Sequence, residues 1–369
     1  MSRVFQTLAP ALTRRMGLAA VAGGVMLACS PAPAANPEDG AEAARAQSAT
    51  RGLDAAMVER GLVEARGLDR LHAVIIARHG AVLVEERLRG PGLDTPVNIK
   101  SASKSVLSAL TGIAIGRGVL EGVDQPVAPV LAADLPVAPD PRLSDLTVGH
   151  LLSMRAGLGR TSGDQYGRWV TSPNWVRHAL ARPFEDEPGG RMIYSTGTSH
   201  LMSAVLTRAS GRSTHALAVD WLGEPLGIRI PPWPQDPQGV YFGGNDMLMS
   251  PRDLLRFGEL YRLDGEIDGR RILPEGWVEE SWRSRGVSPW SGNGYGYGWF
   301  ARRSGVHDIH FAWGYGGQML FIVPSLDLTV VMISDPNPHP RAESHLPALH
   351  ALMDRDIIPA AVRGAEAGG

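Results

Sequence analysis

The chain has 369 residues, of which 44% are hydrophobic and 20% charged, enough apolar material for a sizeable core. A formal net charge of −2 gives no basic field for nucleic acid and no polybasic patch for a membrane surface. With Cys29 as the single cysteine, no internal disulfide can form, and packing must hold the fold.

Residues 1–35 have the layout of an export signal. Arg14-Arg15 precede an apolar run, Met16 to Ala28, that is short for a membrane span. Thr13-Arg14-Arg15-Met16-Gly17-Leu18 is similar to a twin-arginine signal. Met26-Leu27-Ala28-Cys29 is similar to a bacterial lipobox, which makes Cys29 the lipidated first residue of a membrane-anchored mature protein and accounts for the lone cysteine. Cleavage near Ala32 to Ala35 would instead release a soluble periplasmic protein. Residues 36–52 read as a tether, followed by a catalytic domain over 53–360.

Apolar residues at helical spacing predict a helix over 53–66. Leu71–Arg78 and Ala81–Leu88 are β-rich runs joined by His79-Gly80, a two-residue hairpin signal. Val106 to Ile115 is almost wholly apolar, the mark of a buried helix, which ends at Gly116 or Gly118. From 120 to 240 the pattern is helical with Pro/Gly-rich loops, and helices are predicted over Leu146–Met154, Asn174–Ala181 and Thr198–Ala209. Ser250-Pro251-Arg252-Asp253 caps a helix to Leu263, with proline at its favoured first position. Tyr295–Arg302, His310–Val323 and Leu326–Ile333 read as strands, with Pro324-Ser325 turning the last pair, and a helix follows over 341–356. Strands at both chain ends with helices between them predict an α/β (α+β) domain. One antiparallel sheet is assembled from 53–98 and 245–360, flanked by helices, with a mainly helical part at 99–244.

Of 36 Lys plus Arg only two are lysines, Lys100 and Lys104. Arginine keeps its proton in a protein, whereas a desolvated lysine can lose it. Lys104 stands three residues after Ser101, the Ser-x-x-Lys arrangement in which an amine activates a serine. With 25 serines and two lysines the spacing arises by chance roughly once in eight, so the rest of the chain must support it. At a helix N-terminus Ser101 has free N–H groups and positive dipole potential nearby, which favour a developing oxyanion. Lys104 lies one turn on, where burial and the dipole both lower its basicity.

Two further stretches join this motif. Tyr194-Ser195-Thr196 precedes the helix at 198, and Phe311-Ala312-Trp313-Gly314-Tyr315-Gly316-Gly317-Gln318 lies late in the chain. Their order and spacing resemble the serine β-lactamase-like superfamily, in the branch of class C β-lactamases, D-Ala-D-Ala carboxypeptidases and esterases. Leu146 to Leu158 and Gly243 to Ser250 also resemble that family. The resemblance implies a β-lactamase/transpeptidase-like fold and a serine hydrolase without cofactor or metal. It makes Ser101 the nucleophile and Lys104 with Tyr194 the general base and acid. The oxyanion would rest on the N–H groups of Ser101 and of Tyr315 after Gly314, or of Gly317 in an alternative register. Further substrate-binding candidates are Trp313 as a pocket wall, Asn245, and Tyr166 with Asp164 in the loop 160–172.

Two departures matter. The family's Tyr-x-Asn is Tyr194-Ser195-Thr196 here, without the amide. Its Lys-Thr-Gly, or His in place of Lys, is Ala312-Trp313-Gly314, and no lysine follows 104. The usual cationic partner of a substrate carboxylate is therefore missing. Gly-Tyr-Gly-Gly-Gln is instead similar to 6-aminohexanoate-dimer hydrolases and esterases. The expected activity is hydrolysis of a small-molecule ester or amide. The alternatives are a β-lactamase or D-Ala-D-Ala peptidase, and a non-catalytic binding lipoprotein on the same fold. The eleven histidines show no metal-ligand spacing, and His150 reads as a core residue.

Overall fold

A computed structural model describes residues 52–337 and 342–367. The export signal 1–35 with Cys29 lies outside the described residues, as does the 36–52 tether except Gly52.

Strand β1 (Leu71–Arg78) is a near-continuous apolar run because both of its faces are covered. The hairpin at His79-Gly80 leads into β2 (Ala81–Arg87), an edge strand that exposes Val82, Glu85 and Arg87. On its other side β1 pairs with the last strand of the chain, as in Ile75↔Val331. Between them come two short strands, β3 (Val97–Asn98) and β4 (Leu248–Met249), which pair with each other. The main sheet continues with β5 (Gly286–Val287), β6 (Gly294–Tyr295), β7 (Phe300–Ser304), β8 (His307–Gly314), β9 (Gln318–Val323) and β10 (Leu328–Ser334). Its order is β2-β1-β10-β9-β8-β7-β6-β5, antiparallel throughout.

Alternation along the strands divides the core in two. Val74, Ile76, Phe311, Phe321 and Met332 face helix α1 (Ala55–Arg66) and the C-terminal helices. Ala73, Ile75, Ala312, Leu320 and Val331 face the central layer. That layer holds α2 (Ser103–Gly116), in which every residue from Ser103 to Ala114 is buried. Short helices α3 (Val148–Leu152) and α4 (Trp175–Leu180) flank α5 (Thr196–Ser210), which packs on α2. Helix α6 (Pro251–Arg262) begins as predicted, Ser250 Oγ accepting the Asp253 N–H at 3.1 Å, and lies against β10 and β9.

Several boundaries differ from the sequence reading. Tyr295–Arg302 is not one strand: a turn separates β6 from β7. At Gly296 a Cβ would sit 2.2 Å from the Ser281 carbonyl oxygen, and Gly298 has φ +76° with the Lys104 carbonyl 2.5 Å from where its Cβ would be. The turn brings backbone against α2, where Ser105 Oγ donates to the Gly298 carbonyl at 2.7 Å. His310–Val323 likewise divides into β8 and β9, because Gly316 and Gly317 at φ +85° and +99° make a hairpin. The C-terminal helix is interrupted: α7 (Ala342–Leu352) widens over Met353–Ile357 and resumes as α8 (Ile358–Ala367).

One topological detail prepares the site. Strand β7 pairs with β8 only from His307↔Ser304 to Phe311↔Phe300. The last residues of β8, Ala312 to Gly314, therefore have no β7 partner, and this end of the strand packs on the Ser101 turn.

Candidate active site

Ser101 sits in a 3₁₀ turn, Lys100–Ala102, immediately before α2 begins at Ser103. The turn closes through Ala102 N–H to the Ile99 carbonyl at 3.1 Å. Among the described residues the Ser101 N–H has no partner, as expected at a helix start. Lys104, one turn on, is 3% exposed; its Nζ lies 3.1 Å from Ser101 Oγ and donates to the Gly244 carbonyl at 2.7 Å. Burial pulls its pKa from 10.5 down to about 7, with only the nearby Asp246 carboxylate working the other way. A neutral amine that donates to Gly244 keeps its lone pair free to accept the Ser101 hydroxyl proton.

Tyr194 completes the cluster, its ring centroid 4.8 Å from Lys104 Nζ. The ring is wedged among Tyr295, Phe300 and Trp290, with centroids 6.2, 6.4 and 5.3 Å away. Desolvation pushes its phenol up to about 12, the neighbouring Ser101 hydroxyl opposing the shift, so the phenol carries its proton at neutral pH. The next two residues hold the loop rather than face substrate. Ser195 Oγ accepts the Thr161 N–H at 3.0 Å, and Thr196 Oγ1 lies 3.0 Å from Ser162 Oγ.

Gly314 abuts the nucleophile's turn: a Cβ there would lie 2.2 Å from the Ile99 carbonyl oxygen. The following Tyr315 N–H has no partner among the described residues, and its side chain is exposed. The Gly317 N–H is engaged, donating to the Gly314 carbonyl at 3.2 Å. The space beside Gly317 belongs to Leu349, Ser334 and His345, away from Ser101. Geometry therefore favours the Tyr315 register. Trp313, by strand alternation, points to the opposite face from buried Ala312. It packs on Phe300 at 5.3 Å and lines a cleft of about 320 Å³ with Arg302, Leu346 and His350, none of them in the Ser101 cluster.

Asn245 and Tyr166 come together beside Gly244. Burial raises the Tyr166 phenol, its hydrogen bond with Asn245 opposing this, and its ring stacks on Phe242 at 6.5 Å. Asp164 is exposed and pairs with Arg160 at 3.2 Å, outside this group. Sequence reasoning passed over three participants. Gly244, at φ +68°, can take no Cβ because Lys104 Cγ would lie 2.6 Å away. The fully buried His200–Asp236 pair, at 3.0 Å, stands behind that loop: Asp236 accepts from His200 Nε2, and His200 Nδ1 accepts the Gly243 N–H at 3.2 Å. Lys100 pairs with Asp246 at 3.0 Å. The chain's near-total lack of lysine was the one available signal for Lys100. Among the described residues no group of three or more His, Cys, Asp or Glu side chains could hold a metal ion.

This serine, amine and phenol, converging beside two free amides, can be set against known proteins. Residues 59–353 match the family model described as Beta-lactamase. The chain belongs to the beta-lactamase family. Solved structures with the same fold include a provisionally named 6-aminohexanoate-dimer hydrolase from Bacillus anthracis, 17% identical with a TM-score of 0.65 over 81% of each chain. Another is EstCE1, a hydrolase with promiscuous acyltransferase activity, 18% identical with a TM-score of 0.63 over 85% of this chain and all of that one. A third is a penicillin-binding protein homologue from Caulobacter crescentus, 18% identical with a TM-score of 0.64 over 80% of this chain and 97% of that one. At such identities the likeness is one of fold. An uncharacterized protein of Alkalihalophilus pseudofirmus is 22% identical over 188 residues, 49% of this chain, and the match spans about half (52%) of that relative's length.

Proposed function

We propose that this beta-lactamase family member is a serine hydrolase that cleaves an ester or amide through an acyl-enzyme on Ser101. The observation that carries the reading is the buried Lys104 amine, 3.1 Å from Ser101 Oγ and fixed by the Gly244 carbonyl. Membership of the family, with hydrolases among its structural neighbours, supports it.

In acylation Lys104 Nζ takes the Ser101 proton as Oγ bonds to the substrate carbonyl carbon. The carbonyl electron pair moves onto its oxygen, which the N–H groups of Ser101 and Tyr315 stabilise. Collapse restores the carbonyl and breaks the bond to the leaving alcohol or amine. Tyr194 gives that group its proton and recovers one from the Lys104 ammonium. Water then attacks the acyl carbon, passing a proton to the Lys104–Tyr194 pair, and Ser101 leaves with a proton returned from it. The open edge of Ala312 to Gly314 offers backbone groups along which a substrate can lie.

The absence of a cation on this strand argues for substrates without a carboxylate at that point, and against penicillins. The test is a panel of p-nitrophenyl esters, linear amides and labelled penicillin on the wild type and Ser101→Ala. Ester or amide turnover that disappears in Ser101→Ala, with an acyl adduct mapped to Ser101, is the expected result. A stable penicillin adduct without ester turnover would instead favour the peptidase reading, and no adduct from any probe the binding-protein reading. The proposal extends to an exported, periplasmic setting with lipid anchorage at Cys29, tested by fatty-acid labelling of the wild type and Cys29→Ser.

A further inference from the structure

Lys100 is the chain's other lysine, and the mechanism above gives it no part. Its backbone is left-handed, φ +50°, and so is that of Asp246, φ +57°. Such conformations are unfavourable for non-glycine residues and persist only where their surroundings hold them. Here the two strained residues hold each other. Lys100 Nζ donates to Asp246 Oδ1 at 3.0 Å, and Asn98 Nδ2 donates to the same oxygen at 2.7 Å. Asn245 Nδ2 reaches Asp246 Oδ2 at 3.3 Å, and Asn98 Oδ1 accepts the Lys100 N–H at 2.8 Å. Around them β3 pairs with β4, and Ile99 N–H donates to the Met247 carbonyl at 3.0 Å. The residue before the nucleophile is thus tied to the residue two beyond the carbonyl that orients Lys104.

We infer that Lys100 is a positioning residue: its ammonium neutralises Asp246, so that this carboxylate can anchor the Gly244 loop without holding the Lys104 amine in its charged form. The groups facing Lys104 are the Ser101 hydroxyl, the Gly244 carbonyl and the Tyr194 ring, with Asp246 acting from the loop. Tyr166 also feels Asp246. On strand β8, Asp308, His310, Ala312 and Gly314 share this face by alternation; His310 stacks on Trp282 at 4.1 Å, and neither it nor Asp308 is among the groups that act on Lys104. Asp246 is the one carboxylate among the described residues found to act on Lys104, and it favours the ammonium. Its partner Lys100 is three-quarters buried, so the pair is only partly screened by solvent.

The inference rests on Lys104 acting as the base for Ser101, and its test keeps the two apart. The rate of fluorophosphonate labelling of Ser101 is measured from pH 5 to 10. The proteins compared are wild type, Lys100→Gln, Lys100→Arg, Asp246→Asn and the double variant Lys100→Gln/Asp246→Asn. A unit charge removed at this range moves a titration by about one pH unit. Lys100→Gln is expected to shift the acid limb up by about one unit, with roughly tenfold slower labelling at pH 6 and convergence on the wild-type rate at high pH. Asp246→Asn shifts the limb down, the double variant returns it to within about half a unit of wild type, and Lys100→Arg leaves it in place. An unmoved limb in Lys100→Gln, or an equal shift in the double variant, overturns the inference. So does slowing at every pH with the limb in place, which is the mark of a merely structural residue. If wild-type Ser101 is not labelled, or shows no acid limb, it is the acyl-enzyme reading that falls.

Discussion

Gly314→Ala tests whether backbone contact between β8 and the Ser101 turn builds the oxyanion site. The new Cβ would lie 2.2 Å from the Ile99 carbonyl oxygen and 2.9 Å from Gln318 Cβ, where ordinary contact begins at 3.4 Å. The obstacle is backbone, so about 1 Å of movement is required and no side chain can absorb it. The Ile99 carbonyl also accepts the Ala102 N–H that closes the nucleophile's turn. Separating the two segments therefore parts the Ser101 and Tyr315 amides. Loss of one oxyanion donor costs about 10²–10³-fold in rate, and a 1 Å misplacement about 10²-fold. The expected outcome is fluorophosphonate labelling of Ser101 slowed about 100-fold, with a stability loss of about 1–3 kcal/mol that leaves the protein folded. Gly122→Ala, where a Cβ would meet nothing within 4 Å, is the control. Labelling of Gly314→Ala within twofold of wild type would refute the reasoning.

Two stability predictions follow from buried charge. The folded pKa of Lys104, about 7, lies below its ordinary 10.5. The unfolded chain thus binds the extra proton between those values: stability rises with pH through that window, and the burial cost is complete below pH 7. That shift is worth about 5 kcal/mol, and Lys104→Met gives back about 1–3 kcal/mol by leaving the Gly244 carbonyl unpaired, so the variant is expected to exceed wild type by about 3 kcal/mol in denaturant unfolding at pH 6, with the gain fading by about pH 10; equal stability at pH 6 would contradict the desolvation. Asp236→Ala leaves the His200 ring N–H and the Val240 amide unpaired in the interior and removes the acceptor of the N–H of exposed Gln238. It is expected to cost about 3–5 kcal/mol in the same measurement, and a loss under about 1 kcal/mol would show that the pair does not brace the Gly243 loop.

The framework was legible where local signals agree with tertiary demand. The run Leu71–Arg78, the His79-Gly80 hairpin and the Ser250-Pro251 helix start each carry their cause within a few residues. Boundaries failed where a distant contact decides them. Gly296 and Gly298 break a strand-like run because Ser281 and α2 press against their backbone. That Ser101, Lys104 and Tyr194 lie together was legible because their residue types are chemically distinctive at family spacing. Trp313 could not be placed, since its face depends on a register that only the sheet fixes. The His200–Asp236 pair was invisible because its members are 36 residues apart and each looks ordinary alone. Lys100 stood next to the motif throughout, yet only Asp246, 146 residues on, gives it a role.

The central claim, that Lys104 is the base for Ser101, is tested most directly by the pH dependence of Ser101 acylation in wild type and Lys104→Arg. Wild-type labelling by a fluorophosphonate is expected to fall tenfold per pH unit below about 7 and to level off above it. Lys104→Arg, which cannot give up its proton, is expected to remain unlabelled while unfolding cooperatively like the wild type. A flat wild-type profile from pH 5 to 9, or full labelling of a folded Lys104→Arg, would contradict the account.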